Sequence, residues 1–150
     1  MPNQKTFLLI ADDEDFIVLA EGAFAKFKLG HLRTVGDGLE AIRYMAGVGG
    51  YTNRESFPLP DLILLDLDMP HMDAFQFLKS RKETAPVGVK TIPVIVTSKL
   101  EVAEQKALTV PLGAIAFLPK PIDWAVFRDN VAEFGVDFKE NVAHRHKISS

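Results

Sequence analysis

The sequence predicts an α/β domain, a doubly wound (βα)5 unit built around a five-stranded parallel sheet. Three observations carry that prediction. Short, almost wholly apolar runs recur along the chain: FLLIA at 7–11, LILL at 62–65, IPVIV at 92–96 and AIAFL at 114–118. Strands buried on both faces read as such unbroken runs, not as alternating apolar and polar positions. Segments with apolar residues at helical spacing separate them, which is the pattern of strands joined by crossover helices. Finally, several runs stop abruptly on Asp, Thr, Ser or Lys. Ligands of open parallel sheets gather at the carboxyl ends of the strands, so these polar endings mark the edge where function is expected.

Composition narrows the class. The chain has 150 residues, 47% of them hydrophobic, which suits one domain with its own core. Seventeen basic residues face twenty acidic ones, a formal charge of −3, so no basic surface points to nucleic acid. Cysteine is absent, which excludes disulfides and thiolate chemistry and fits a reducing compartment. Residues 1–6 lack the apolar core of a signal peptide, and no apolar run is long enough to span a bilayer. The expectation is a cytoplasmic protein with neither a membrane nor a nucleic-acid partner. It is read as one domain over residues 1–150, with a core at about 5–135 and a solvated tail at 136–150.

Taken in order, the first strand, Phe7 to Ala11, runs into Asp12-Asp13-Glu14-Asp15. Phe16, Leu19, Ala23 and Phe27 then recur on one helical face, with Asp15 as N-cap and Gly30 as stop. Leu32 to Val35 is the second strand, followed by a shorter helix with Leu39, Ile42 and Met45 on its buried side. A polar loop from Gly47 to Pro60, longer than most connections of this kind, leads into the third strand at Leu62. Phe75 and Leu78, with the charged Lys79, Arg81, Lys82 and Glu83, predict a third amphipathic helix that Pro86 and Gly88 break. Ile92 to Val96 is the fourth strand, Val102 to Leu108 a short helix, and Ala114 to Leu118 the fifth strand. Asp123 caps a last helix with Trp124, Phe127, Val131 and Phe134 along one face. Right-handed crossovers leave few topologies, and the flavodoxin-like order 2-1-3-4-5 is the common one at this size.

The strand ends hold the chemistry. Strand one delivers Asp12 and Asp13, strand three Asp66, strand four Thr97 and Ser98, and strand five Lys120. Carboxylates crowded at one edge repel, at about 4 kcal/mol per pair for ~4 Å and an effective dielectric near 20. A hard divalent cation relieves that repulsion, and Mg²⁺ favours one or two carboxylates with waters and phosphate oxygens. A lysine ammonium and a threonine hydroxyl beside them suit a phosphoryl group carried on Asp66.

The ordered set Asp12-Asp13, Asp66-Leu67-Asp68-Met69-Pro70, Thr97-Ser98 and Lys120-Pro121 resembles the receiver domain of two-component response regulators. The resemblance covers about residues 5 to 135. It implies that Asp66 is a phospho-acceptor charged by a sensor histidine kinase or a phosphotransfer protein. It implies a Mg²⁺ ion held by Asp13 directly, Asp12 through water, the Asp66 side chain and the Asp68 backbone carbonyl. Thr97 and Lys120 would contact the phosphoryl group, and Phe117 matches the switch aromatic that turns inward as the threonine moves. The Lys120-Pro121 bond is often cis in this family. Three positions depart from its usual pattern: Ala74 follows the acid of Met72-Asp73 where glycine is common, Pro119 precedes Lys120, and Asp68 adds a negative side chain.

Nothing after residue 135 reads as an output domain, so the expected product is a stand-alone regulator that signals to a downstream protein through contacts. It is not an enzyme beyond its own phosphoryl acceptance and autodephosphorylation. The long 47–60 loop also resembles that of small receivers partnered with phytochrome-type kinases, some of which form homodimers through the last strand and helix. Two alternatives compete. A degenerate receiver would bind partners without phosphorylation, but the acid pair, acceptor, hydroxyl and lysine are all present. Asp66-Leu67-Asp68 also resembles the Asp-x-Asp of haloacid-dehalogenase-type phosphatases, but those carry it on the first strand with the paired acids late, and 150 residues leave no room for a cap domain. His144 and His146 flank Arg145 without further ligands and do not make a metal site.

Overall fold

The computed structural model describes residues 5–70 and 73–136. Five strands form one sheet: β1 (Thr6–Ile10), β2 (His31–Val35), β3 (Leu62–Asp66), β4 (Val94–Ser98) and β5 (Ala116–Pro119). Their order is β2-β1-β3-β4-β5 and every pairing is parallel. This is the flavodoxin-like topology the sequence predicts. β1, β3 and β4 are buried at every position, as expected of central strands covered on both faces. β2 and β5 lie at the edges and are more open. An edge position also explains how Pro119 ends a strand without removing a needed ladder donor.

Helices α1 (Glu14–Phe27), α2 (Gly38–Ala46), α3 (Asp73–Thr84), α4 (Val87–Lys90), α5 (Val102–Thr109) and α6 (Trp124–Val136) connect and follow the strands. The core divides at the sheet. On one face Leu8, Ile10, Ile63, Leu65 and Val96 meet Tyr44 of α2 and Phe77 of α3. On the other, Phe7, Leu9, Leu62 and Leu64 meet Phe16 and Phe24 of α1 and Phe127 of α6.

Several local expectations are corrected. The N-cap of α1 is Asp13, whose Oδ1 accepts from the Asp15 amide at 3.0 Å, so the helix begins earlier than Asp15. Its C-cap is Lys28 in the left-handed region, ahead of Gly30. Gly30 has φ +143° and lies against the Lys5 carbonyl, a place with no room for a side chain. The buried stripe of α1 is Phe16, Ala20, Ala23 and Phe24, while Leu19 is 62% exposed. On α2, Ala41, Tyr44 and Met45 are buried and Leu39 is exposed. After α3, Pro86 serves as N-cap of the short α4 and does not simply end the helical segment. Arg81 is buried rather than displayed, and its Nη2 donates to the carbonyls of Lys90 and Ile92. β4 runs on through Thr97 and Ser98, and β5 starts two residues later than expected. Asp123 caps α6 as expected, accepting from Ala125 and Val126. Met72, the 137–150 tail and its histidines lie outside the described residues.

The long 47–60 loop is pinned by one side chain. Arg54 Nη1 donates to the carbonyls of Tyr44 (2.8 Å) and Phe57 (3.1 Å), and Nη2 to that of Met45 (2.8 Å). Two of these carbonyls belong to the last turn of α2, where the regular helical donors run out and, among the described residues, only Tyr44 gains a backbone donor, the Gly47 amide at 3.2 Å. Tyr51 and Phe57 close over Tyr44, with ring centroids 5.1 and 6.1 Å away. Arg54→Ala is expected to lower stability by about 2 kcal/mol, the scale of hydrogen bonds from a charged donor. A urea midpoint unchanged from wild type would show that the loop is held by its rings alone.

Candidate functional site

The strand ends supply the site because the sheet is parallel. Register pairs Ile10 with Leu65 and Asp66 with Thr97, and Lys120 N donates to the Ser98 carbonyl, so four chain segments emerge side by side. Asp66 is the last residue of β3 and 1% exposed. Lys120 Nζ lies 2.9 Å from both of its carboxylate oxygens and 3.2 Å from Asp68 Oδ2. Asp66 Oδ1 also accepts from the Asp68 amide at 2.8 Å. Lys120 Nζ sits 4.5 Å from the centre of the Phe16 ring, so its stem crosses an apolar wall before the charge meets the acid pair. The Lys120-Pro121 bond is cis.

The two carboxylates are tuned in opposite directions. Burial raises the Asp66 pKa above the usual carboxylate value, against the bonds from Asp68 N and Lys120, and the Asp68 charge pushes the same way as burial. For Asp68 burial also works upward, but bonds from Ser98, Lys99 and Lys120 outweigh it and the pKa is lowered. Asp66 is thus the desolvated member of the pair beside the lysine, and Asp68 the member whose donors hold it below the usual carboxylate value.

The expected residues do not all converge. Thr97 neighbours Asp66 in the register, yet it is fully buried and its Oγ1 donates to the Leu118 carbonyl at 2.9 Å. Its hydroxyl is turned away from the acid pair. Ser98 is equally buried, but its hydroxyl is the one turned toward the acid pair: Oγ donates to Asp68 Oδ1 at 2.7 Å and accepts from Leu100 N at 3.0 Å. Strand alternation places Ser98 on the face of Val96, whose register partner is Phe117. Phe117 is half-buried, packs on that face of the core, and has Lys106 Nζ 5.8 Å from its ring centre. A hydroxyl that exchanges places with Phe117 must share its face, and Ser98 does while Thr97 does not. The adjacent letters TS gave no way to choose between them; the signal was the strand's true end at 98.

Asp12 and Asp13 leave β1 at the same edge and are exposed. Among the described residues no three acidic or imidazole side chains form a ready-made cation cage. The donors nonetheless suit a hard cation that keeps its waters, since Mg²⁺ needs only one or two carboxylates. Among the described residues Asp66 Oδ2 carries a single hydrogen bond, from Lys120, and a carboxylate oxygen can accept two.

Comparison with known proteins settles the family. The model of the response regulator receiver domain matches residues 7–132. The chain belongs to the response regulator receiver family. A protein-glutamate methylesterase/protein-glutamine glutaminase of Treponema pallidum (strain Nichols) is 45% identical over 92 residues, which cover 59% of this chain and 22% of that protein. The receiver therefore spans about a fifth of that relative's length. Among solved structures, the phosphorylated cyanobacterial phytochrome response regulator RcpA is 29% identical with a TM-score of 0.73, over 90% of this chain and 96% of that one. The Mn²⁺-bound form of response regulator Rcp1 is 25% identical with a TM-score of 0.70, over 87% of this chain and 94% of that one. Among the described residues no helix is long and apolar enough to cross a membrane.

Proposed function

We propose that this receiver is a Mg²⁺-dependent phospho-acceptor in which Asp66 takes a phosphoryl group from a sensor histidine kinase or phosphotransfer protein. One observation carries the reading: a buried carboxylate at the end of a central strand with a lysine ammonium 2.9 Å from each oxygen. An Asp66 oxygen attacks phosphorus, the bond to the donor breaks, and its electron pair leaves with the donor. Lys120 screens charge on acceptor and phosphoryl oxygens as they approach, and the Asp68 amide fixes the carboxylate orientation through Oδ1. Asp12, Asp13, the Asp66 side chain and the Asp68 backbone carbonyl would hold the Mg²⁺, which supplies the remaining charge neutralisation. We assign the phosphoryl-facing hydroxyl to Ser98 in place of Thr97, with Phe117 as the packing switch on the same face.

The output is a change of surface, read by a downstream protein in the cytoplasm through protein contacts. Phosphorylation adds about −1.5 to −2 charge beside Ser98 and Lys120 and biases existing arrangements of the face made by α5, β5 and α6. β5 is an edge strand, so a second copy could pair along it and α6. Sedimentation with and without beryllofluoride tests that pairing, and a monomer in both conditions ends it.

The acceptor test is incubation with Mg²⁺ and acetyl phosphate, followed by intact mass and peptide mapping. One phosphoryl group on the peptide containing Asp66, lost in Asp66→Asn and on chelation, is the expected result. Uptake unchanged in Asp66→Asn would defeat the assignment. Mg²⁺ alone should also raise the melting temperature, because a ligand that binds only the folded state stabilises it by about 2.7 kcal/mol at a hundred times its Kd. In Asp13→Asn that shift should shrink.

A further inference from the structure

The carboxylate of Asp68 lies where a guest of the same charge is expected. Its Oδ1 takes the Ser98 Oγ proton at 2.7 Å, and its Oδ2 takes the Lys99 amide at 2.9 Å and Lys120 Nζ at 3.2 Å. A hydroxyl, a backbone N–H and an ammonium from the ends of β4 and β5 thus converge on one anion, next to the acceptor that shares the lysine. The hydroxyl is not a free rotor: Ser98 Oγ accepts from Leu100 N at 3.0 Å, which leaves its proton for Asp68. Such a donor set is an anion seat, and its donors are stronger for being directed at a charged acceptor. Elsewhere Asp68 has a simpler option, since its side chain is partly open to water and could remain solvated.

We propose that Asp68 is a built-in occupant of the seat that the phosphoryl group needs, so that charging Asp66 requires the Asp68 carboxylate to be expelled from Ser98 and Lys99. This rests on the acceptor reading of Asp66. The occupant holds the β4 end in one arrangement before phosphorylation and competes with every incoming phosphodonor. It sets a threshold for phosphorylation: small donors must displace it unaided, whereas a docked protein partner brings further contacts to the exchange. When the phosphoryl group arrives, its oxygens inherit the Ser98 and Lys99 hydrogens and Asp68 turns to solvent.

The experiment compares the full chain with Asp68→Ala and Asp68→Asn, using acetyl phosphate and Mg²⁺, and follows both labelling rate and hydrogen exchange of the Lys99 amide. Asp68→Ala should label about tenfold faster, the factor carried by one charge-assisted hydrogen bond that no longer has to be broken. Asp68→Asn, which keeps one acceptor oxygen, should fall between. The gain should persist at high salt, where long-range repulsion between the Asp68 charge and the incoming anionic donor is screened. Without phosphodonor, the Lys99 amide should be protected in wild type and exposed in Asp68→Ala, and protection should return once Asp66 is labelled. Equal labelling rates with the label on Asp66, a gain abolished by salt, or equal Lys99 protection in the unlabelled proteins would each overturn the occupant. Absence of label from all three proteins would instead overturn the acceptor reading, and the Lys99 exchange would still report on the seat.

Discussion

With Lys120 replaced by alanine, phosphoryl uptake by Asp66 is expected to fall by about two to three orders of magnitude, the usual loss when one aimed electrostatic donor is removed. The same change should destabilise the fold by about 3–5 kcal/mol near neutral pH, because it strands a buried carboxylate that was paired. Asp66 is 1% exposed and Lys120 touches both of its oxygens, so no water-facing rotamer is at hand to relieve the charge. The pH dependence has a definite sign. Burial already holds the Asp66 pKa above its unfolded value, and removing the ammonium drives it further up. Between the unfolded and folded pKa values the folded chain binds the extra proton, so stability falls as pH rises through that window. The deficit of Lys120→Ala should therefore be complete above the folded pKa and shrink as the pH drops toward the unfolded one. Mg²⁺ should recover part of the stability, since a cation at the acid cluster would offset the stranded charge, but little of the rate, since the ammonium aimed at both Asp66 oxygens is gone. Urea denaturation at several pH values, with and without Mg²⁺, separates these contributions. A pH-independent loss would mean that the lysine acts by packing over Phe16 and not by charge.

How much of this was legible in the letters depends on which physical signal each element carries. The central strands β1, β3 and β4 were readable because such parallel strands must be apolar on both faces, a pattern that little else in a short chain produces, whereas the edge strand β2, HLRTV, carries a weaker signal. Helix faces were less so. On α1 the small Ala20 is buried and the large Leu19 is not, because the stripe is set by 3.6-residue geometry, while reading by hydrophobicity favours the larger side chain. Arg81 shows the opposite failure: its charge suggested solvent, but its long stem crosses the core edge so that the guanidinium meets the carbonyls of Lys90, at the end of α4, and of Ile92 just beyond it. Proline misled at 86, where its fixed φ suits the cap of α4. In the site, Asp66 and Lys120 were fixed by strand ends, but the hydroxyl hinged on a one-residue boundary. Because side chains alternate along a strand, a shift of one position exchanges Thr97 for Ser98 and one face of the sheet for the other. The occupancy of the seat by Asp68 could not be read at all, since it depends on three donors from two later strands.

A structural loss of the same size is expected in the aromatic cluster of α1 and α6, in Phe24→Ala. Phe24 is buried on α1, with ring centroids of Phe7 at 5.0 Å, Phe127 at 6.0 Å and Trp124 at 6.1 Å, the first met edge-on at 77°. Its ring touches rings of both β1 and α6, which also meet directly through Phe7 and Phe127 at 6.4 Å. Truncation removes the apolar burial and opens a space that rings held on two separate elements, β1 and α6, cannot refill together, so about 3–5 kcal/mol should be lost. Trp124, the chain's single tryptophan, borders that space and gives the readout: its emission should move to the red and its near-ultraviolet dichroism weaken before the whole chain melts. The consequence for the site is graded. Phe16 stacks on Trp124 at 6.4 Å and has the Lys120 ammonium 4.5 Å from its ring centre, so disorder in α6 reaches the lysine through one intermediate ring. At low temperature, with the chain still folded, Phe24→Ala should keep most of its phosphoryl uptake while Phe16→Ala loses more of it at a smaller cost in stability. Equal losses of uptake in both would mean that the cluster acts on the lysine as one body, and that the stability of α6 and the chemistry of Asp66 cannot be separated.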